Sequence, residues 1–260
     1  MQKILLLLLF SSCFLFAQKS IRVTAIDSTE LKVATIFGID NFETLYYTTE
    51  DNTFYKKTKD TTITYTNFQL GGVTTANIFN PLKINLFYQD FNTVIILDNR
   101  LAEIFKVDFN TLQPYKNISH VSTGFDNTLW LFNQDLQVLE LYDYKANKTR
   151  LKTVPVQAKV LDLKSDYNYC YLLTENYLYI YNYFGSLINK YENKNYITMA
   201  FSKGHLMLKK DNLLFILHKN EDEILPVKLP DLLINQFLVT DETLYIYDDK
   251  YLRRYQLKKD

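Results

Sequence analysis

The side chains able to do chemistry are few and scattered. His120, His205 and His218 are the three histidines, whereas zinc sites draw ligands a few positions apart, as in Cys-x2–4-Cys or His-x3–5-His. His205 and His218 stand 13 positions apart and His120 farther away, so no metal centre is expected. No Asp-x-Asp-x-Asp-Gly calcium loop, no Gly-x-Ser-x-Gly nucleophile elbow and no Gly-x-Gly-x-x-Gly or Walker run occurs. Six glycines in 260 residues cannot furnish the phosphate-cradling turns of a nucleotide enzyme. Neither a cofactor nor a catalytic residue is therefore assigned. Cys170, flanked by Tyr169 and Tyr171, reads as a small apolar core residue, because a nucleophilic thiol would need a histidine beside it.

Two groupings carry more. Asp51, Asp90, Asp135, Glu175, Asp211 and Asp249 each sit in a short acidic or amide turn between two apolar runs. In a repeating fold, equivalent turns share one rim, so these six carboxylates are expected to form an acidic face suited to a cation, a basic peptide or a basic protein surface. The plainer reading is that Asp and Asn make good turns, since their side chains hydrogen-bond the nearby backbone. The opposite rim is expected to be mixed, with Lys57, Lys59, Arg100, Lys145, Lys148 and Lys219 beside Asp40, Asp126 and Asp241. The second grouping is Tyr177-Leu178-Tyr179-Ile180-Tyr181-Asn182-Tyr183, whose rings could stack sugars or a partner, or pack on both faces of a sheet.

The elements that must position these residues are strands. Tyr 21 and Phe 18 against Gly 6 favour pleated structure. Asp40-Asn41-Phe42-Glu43-Thr44-Leu45-Tyr46-Tyr47, Phe125-Asp126-Asn127-Thr128-Leu129-Trp130-Leu131 and Thr240-Asp241-Glu242-Thr243-Leu244-Tyr245-Ile246 repeat one phrase. Weaker copies occur at 84–88, 169–172 and 205–208, and the spacing resolves to units of about 40 residues, the size of a four-stranded propeller blade. Further strands follow the acidic turns at 53–55, 93–97, 138–142, 177–181, 213–217 and 251–255. Fourth strands are expected at 61–68 and 101–109. The sequence thus predicts an all-β, six-bladed β-propeller of four-stranded antiparallel blades. The last unit lacks one strand, and Ile21-Arg22-Val23-Thr24-Ala25-Ile26 is left over at the start. Pairing that segment antiparallel with the last unit completes the last blade and closes the ring, which removes exposed edges.

The phrase at Phe125–Leu131 resembles the strand signature of NHL, YVTN and two-component-regulator propellers, with Glu43, Asn127 and Glu242 where those families place glycine. This implies the fold and no particular activity. The Lys, Asn, Tyr, Phe and Ile content, together with an export signal, resembles envelope proteins of AT-rich Bacteroidota.

Residues 1–17 read as that signal: Lys3, an apolar stretch over 4–10, and Leu15-Phe16-Ala17 ahead of Gln18. Residues 18–260 then form one propeller domain, exported to the periplasm or envelope. The competing reading is a lipobox ending at Cys13, with Phe10 in the usual leucine position and an apolar run continuing beyond the cysteine. Later segments are too short in apolar residues for a membrane helix. An outer-membrane barrel fits less well, because Lys56-Lys57 and Arg253-Arg254 put charge inside short strands. Equal counts of 29 basic and 29 acidic residues lack the basic footprint of a nucleic-acid binder. The leading expectation is a non-catalytic interaction module, a monomeric ring whose partner is an unidentified envelope protein or peptide. A small-ligand or glycan-binding propeller, or a hydrolase or lactonase with scattered carboxylates, is the alternative.

Overall fold

The structure, a computed structural model, describes residues 19–218 and 221–258. The expected signal over 1–17, with Cys13, and the rim lysine Lys219 lie outside the described residues. Strand β1 (Ile21–Glu30) opens the fold. The first sheet holds β2 (Thr35–Ile39), β3 (Leu45–Thr48), β4 (Phe54–Lys57) and β5 (Thr62–Tyr65). The second holds β6 (Thr75–Asn77), β7 (Ile84–Tyr88), β8 (Thr93–Leu97) and β9 (Glu103–Asp108). The third holds β10 (Ile118–Thr123), β11 (Thr128–Asn133), β12 (Val138–Asp143) and β13 (Lys148–Lys152). In the fourth are β14 (Val160–Ser165), β15 (Tyr169–Thr174), β16 (Tyr177–Asn182) and β17 (Leu187–Glu192). The chain continues through β18 (Thr198–Ser202), β19 (His205–Lys210), β20 (Leu213–His218), β21 (Ile224–Lys228), β22 (Gln236–Val239), β23 (Thr243–Tyr247) and β24 (Tyr251–Leu257).

Hydrogen bonding corrects the expectation of six separate blades. Four four-stranded sheets stand alone, and the last seven strands join β1 in one eight-stranded sheet ordered β18-β19-β20-β21-β1-β24-β23-β22. The cause is the length of β1. Its first residues, Ile21 and Arg22, pair parallel with Val227 and Lys228. From Val23 to Glu30 it runs antiparallel to β24, from Leu257 back to Tyr251, with a bulge between Ala25 and Asp27. The antiparallel pairing is the one the leftover segment predicts; the parallel one is additional.

Within each sheet, the second and third strands carry the core. Every residue of β7, β8, β11 and β12 is buried, because sheets stack face to face and cover both sides of these strands. Between successive sheets lie separate apolar clusters, such as Tyr46 and Phe54 with Leu86 and Ile95, or Tyr171 and Leu178 with Leu206 and Leu208. Fourth strands face solvent, and five of the six residues of β17 are exposed. The first strands pack side by side in order: β2 on β6, β6 on β10, β10 on β14, β14 on β18, β18 on β22 and β22 on β2.

The seam between the first sheet and the last strands is bridged by polar groups. Gln236 Oε1 accepts from the Ile36 amide at 2.7 Å. The Tyr247 hydroxyl accepts from the Val33 amide at 3.3 Å. Arg254 donates to Asp27 of β1 at 2.7 Å and to Glu43 of the β2–β3 turn at 2.6 Å.

Candidate functional site

All six expected acids occupy turns between the second and third strands of a sheet: Asp51 after β3, Asp90 after β7, Asp135 after β11, Glu175 after β15, Asp211 after β19 and Asp249 after β23. Their geometry is that of turn formers. Asp51 accepts from the Thr53 amide at 3.3 Å and from Thr53 Oγ1 at 3.0 Å, and also holds the Thr49 hydroxyl. Those hydrogen bonds keep its carboxyl below the ordinary value of 3.8. Asp135 accepts from Asn117 Nδ2 at 2.8 Å, Glu175 from the Lys159 amide at 3.4 Å, and Asp249 from Asn235. Asp211 and Asp249 adopt left-handed backbone, with φ of 50° and 71°. Of the eleven non-glycine residues with positive φ among the described residues, seven are Asn or Asp, the side chains that tolerate this region best. The scarce glycines are thus replaced by amides and acids at the turns.

The tyrosine run divides between packing and exposure. Tyr181 is in the core, and Lys190 Nζ of the neighbouring β17 lies 3.7 Å from the Tyr177 ring centroid and 5.3 Å from that of Tyr179. Cys170 is fully buried, and burial pushes its thiol well above the ordinary range.

The first strands enclose a cavity of about 510 Å³ along the middle of the molecule. Thr35, Asn77, Ser165, Thr198, Ser202 and Gln236 are among its walls, so hydroxyls and amides dominate its polar lining. Gly38 lies at this wall, and a Cβ there would collide with the Ile78 side chain of the next sheet. Several polar groups satisfy one another across sheets. Asn77 Nδ2 donates to Ser122 Oγ at 3.0 Å, and Ser165 Oγ donates to the same oxygen at 2.8 Å.

Nearby carboxylates are engaged as well. Asp40 accepts from the amides of Phe42 and Thr44, both at 2.9 Å. Asp162 accepts from Thr198 Oγ1 at 2.7 Å and the Met199 amide at 2.8 Å, with Lys164 Nζ at 3.2 Å. Burial alone would raise its pKa, but Lys164 and these donors outweigh it and leave the carboxyl below 3.8. Asp162 therefore ties β14 to β18 as a carboxylate. Burial holds His120 below its ordinary 6.5 despite the opposing pull of Asp162.

The turns at one mouth of this cavity hold a further feature. Phe79 and Phe125, in the turns after β6 and β10, are 44% and 57% exposed. Tyr167, after β14, packs edge-on against both, with centroids 4.9 Å from Phe79 and 5.9 Å from Phe125. Phe42, in the equivalent turn after β2, is 87% exposed. Three successive sheets thus contribute to one exposed aromatic cluster. The signal was present in the sequence: Asn41-Phe42, Phe79-Asn80-Pro81, Gly124-Phe125-Asp126 and Asp166-Tyr167-Asn168 each lodge an aromatic among turn formers that do not need it. Two of the acids expected on this rim pair with lysines outside the expected set, Asp126 lying 3.8 Å from Lys83 and Asp241 pairing with Lys203.

No protein-family model matches the chain, and no curated protein does. Solved structures do. A chain of the mitotic checkpoint complex superposes with a TM-score of 0.63 at 11% identity, covering 93% of this chain and 87% of that one. Catalytically inactive virginiamycin B lyase from Staphylococcus aureus, solved with quinupristin, gives 0.59 at 12% identity over 94% and 97%. BamB from Moraxella catarrhalis gives 0.58 at 11% identity over 90% and 99%. The chain is a β-propeller. As many as 1030 solved chains match, so the likeness establishes the architecture and leaves the activity open. Among the described residues, no helix is long and apolar enough to cross a membrane.

Proposed function

We propose that this propeller is a non-catalytic interaction module that grips a partner protein with the aromatic rim around its cavity mouth. The exposed cluster of Phe79, Tyr167 and Phe125 carries the reading. Aromatic side chains are enriched where proteins meet, since they bury large area and lose little rotamer freedom. In its favour, the carboxylates nearest the cavity are committed to holding strands and turns. Two of the similar folds, a chain of a checkpoint complex and a lyase, illustrate that the architecture serves both assembly and catalysis. The test is photo-crosslinking from position 125 in the native host. One partner should be captured there, and adding F79S/Y167S to the probe-bearing protein should abolish the capture while adding D90N/D135N leaves it intact. Equal capture by all three proteins would overturn the proposal.

A second reading is favoured by the 510 Å³ cavity: its hydroxyl and amide lining suits a small polar ligand such as a sugar. The finer architecture belongs to the proposal too. β1 can be counted as the fourth strand of the β22–β24 unit, giving six blades and a closed monomeric ring; the cyclic packing of first strands and the β22–β2 contact support this. Export by residues 1–17 to the periplasm or envelope completes the picture, supported by the charged, apolar and small-residue order of that segment.

A further inference from the structure

A second cavity, of about 180 Å³, opens between the fourth sheet and strands β19 and β20, and shares no lining residue with the first. Its walls grade from apolar to acidic. Tyr171, Ile180, Leu206 and Leu217 are its buried side. Tyr169 and Tyr191 are half-buried, and Glu221 and Asp222 are exposed at its mouth. Burial pushes the Tyr171 and Tyr191 phenols above their ordinary 10, and the charge of Asp222 adds to this at Tyr191. Both therefore present neutral rings. Hydrogen bonds fix the mouth: Asn189 Nδ2 donates to the Tyr191 hydroxyl at 3.1 Å, and that hydroxyl donates to Asp222 Oδ1 at 3.3 Å. The Glu221 amide donates to the His218 carbonyl at 3.2 Å.

Charge and size select the occupant. Among the described residues, no lysine or arginine lines this cleft or pairs with Glu221 or Asp222. Two carboxylates thus border one small cavity beside tyrosine rings, whose faces attract cations. Pockets for drug-sized ligands run to ~300–1,000 Å³, so this smaller one restricts the occupant to a single ring or a short chain. We propose that the cleft binds a small primary amine with an aromatic or short alkyl body. Its ammonium meets Asp222 and Glu221, and its body lies against Tyr169, Tyr171 and Leu217. The order of the walls favours a free amine over the lysine of a partner protein. A lysine side chain enters charge first and would press its ammonium onto Leu206 and Leu217, where desolvation is costly. A free amine enters apolar end first and leaves its charge at the mouth.

The test is calorimetric titration of the purified full-length protein with phenethylamine as the probe. One equivalent should bind in the millimolar range or tighter. Phenethyl alcohol, which matches its shape without the charge, should bind at least about tenfold more weakly. E221Q/D222N should weaken phenethylamine by about tenfold or more, whereas D90N/D135N, which removes as much charge from turns of other sheets, should not. Both variants change exposed side chains, and circular dichroism checks that each folds. Should the first not fold, titration of the wild type with the amine, the alcohol and N-acetyl-lysinamide decides. Equal binding of amine and alcohol, unchanged affinity in a folded E221Q/D222N, tighter binding of N-acetyl-lysinamide, or no saturable binding in the millimolar range would each refute the site.

Discussion

Glu140 is fully buried on β12, and it is the carboxylate whose surroundings matter most to stability. Lys116 pairs with it, Thr149 Oγ1 donates at 2.8 Å and Asn133 Nδ2 at 3.1 Å. Burial pushes its pKa up, but the hydrogen bonds from Lys116 and Thr149 and the charges of Lys116 and Lys152 win, leaving it below the ordinary 4.5. Removing one partner of a buried pair leaves an uncompensated charge, so K116M should destabilise by about 3–5 kcal/mol, and K116M/E140Q should recover much of it. Chemical denaturation of the three proteins measures this. Because the folded carboxyl is the stronger acid, its contribution is complete above about pH 4.5 and fades as pH falls through the folded value. E140Q should accordingly show a flatter loss of melting temperature below pH 4.5 than the wild type. The turn acids predict the opposite behaviour. D90N and D135N should each shift stability by only ~0–1 kcal/mol, since an Asn at 135 still offers Asn117 an oxygen. A larger loss on urea titration would mean that those carboxylates act beyond their turns. Their positions were legible because Asp and Asn advertise a turn by type. Glu140 was not, because its meaning comes from Lys116, 24 positions away just ahead of β10 and in reach only once β10, β11 and β12 have paired.

At the scale of elements, strands and turns were readable where hydrogen bonding is local. The third strand of the second sheet, 93–97, falls where the alternation places it, and the second strand at 84–88 does too. Fourth strands are shorter than the sequence suggests, Thr62–Tyr65 within the expected 61–68, since an outer strand has one neighbour and nothing in its composition marks where pairing stops. β1 was foreseen as the partner of β24 but not as a parallel neighbour of β21. That contact depends on how two sheets approach, which no local pattern encodes. Two unpaired edges would follow its loss, so deleting residues 18–27 should lower the melting temperature and promote association. Light scattering alongside thermal melts reports both, and an unchanged monomer of full stability would show that β1 is dispensable.

For the whole molecule, the repeat was visible because every unit resets the same turn. The aromatic rim was hidden because its residues converge only when three units stand side by side. If residues 1–17 direct export, intact-mass measurement of the protein from its host should find a chain starting at Gln18 without lipid. A diacylated Cys13 would instead tether the propeller to a membrane. The position of β1 has a further bearing on how the molecule is made. Its partners, β21 and β24, begin at Ile224 and Tyr251, so β1 waits for about 200 further residues to be made before it finds its place. Most sheets can form from neighbours as they emerge, while the joint of β1 with β21 and β24 carries a long loop-closure delay. A chain broken anywhere before Tyr251 therefore retains an unsheltered strand at its head. Such a fragment exposes β1 to proteases, and only a chain that reaches β24 conceals it.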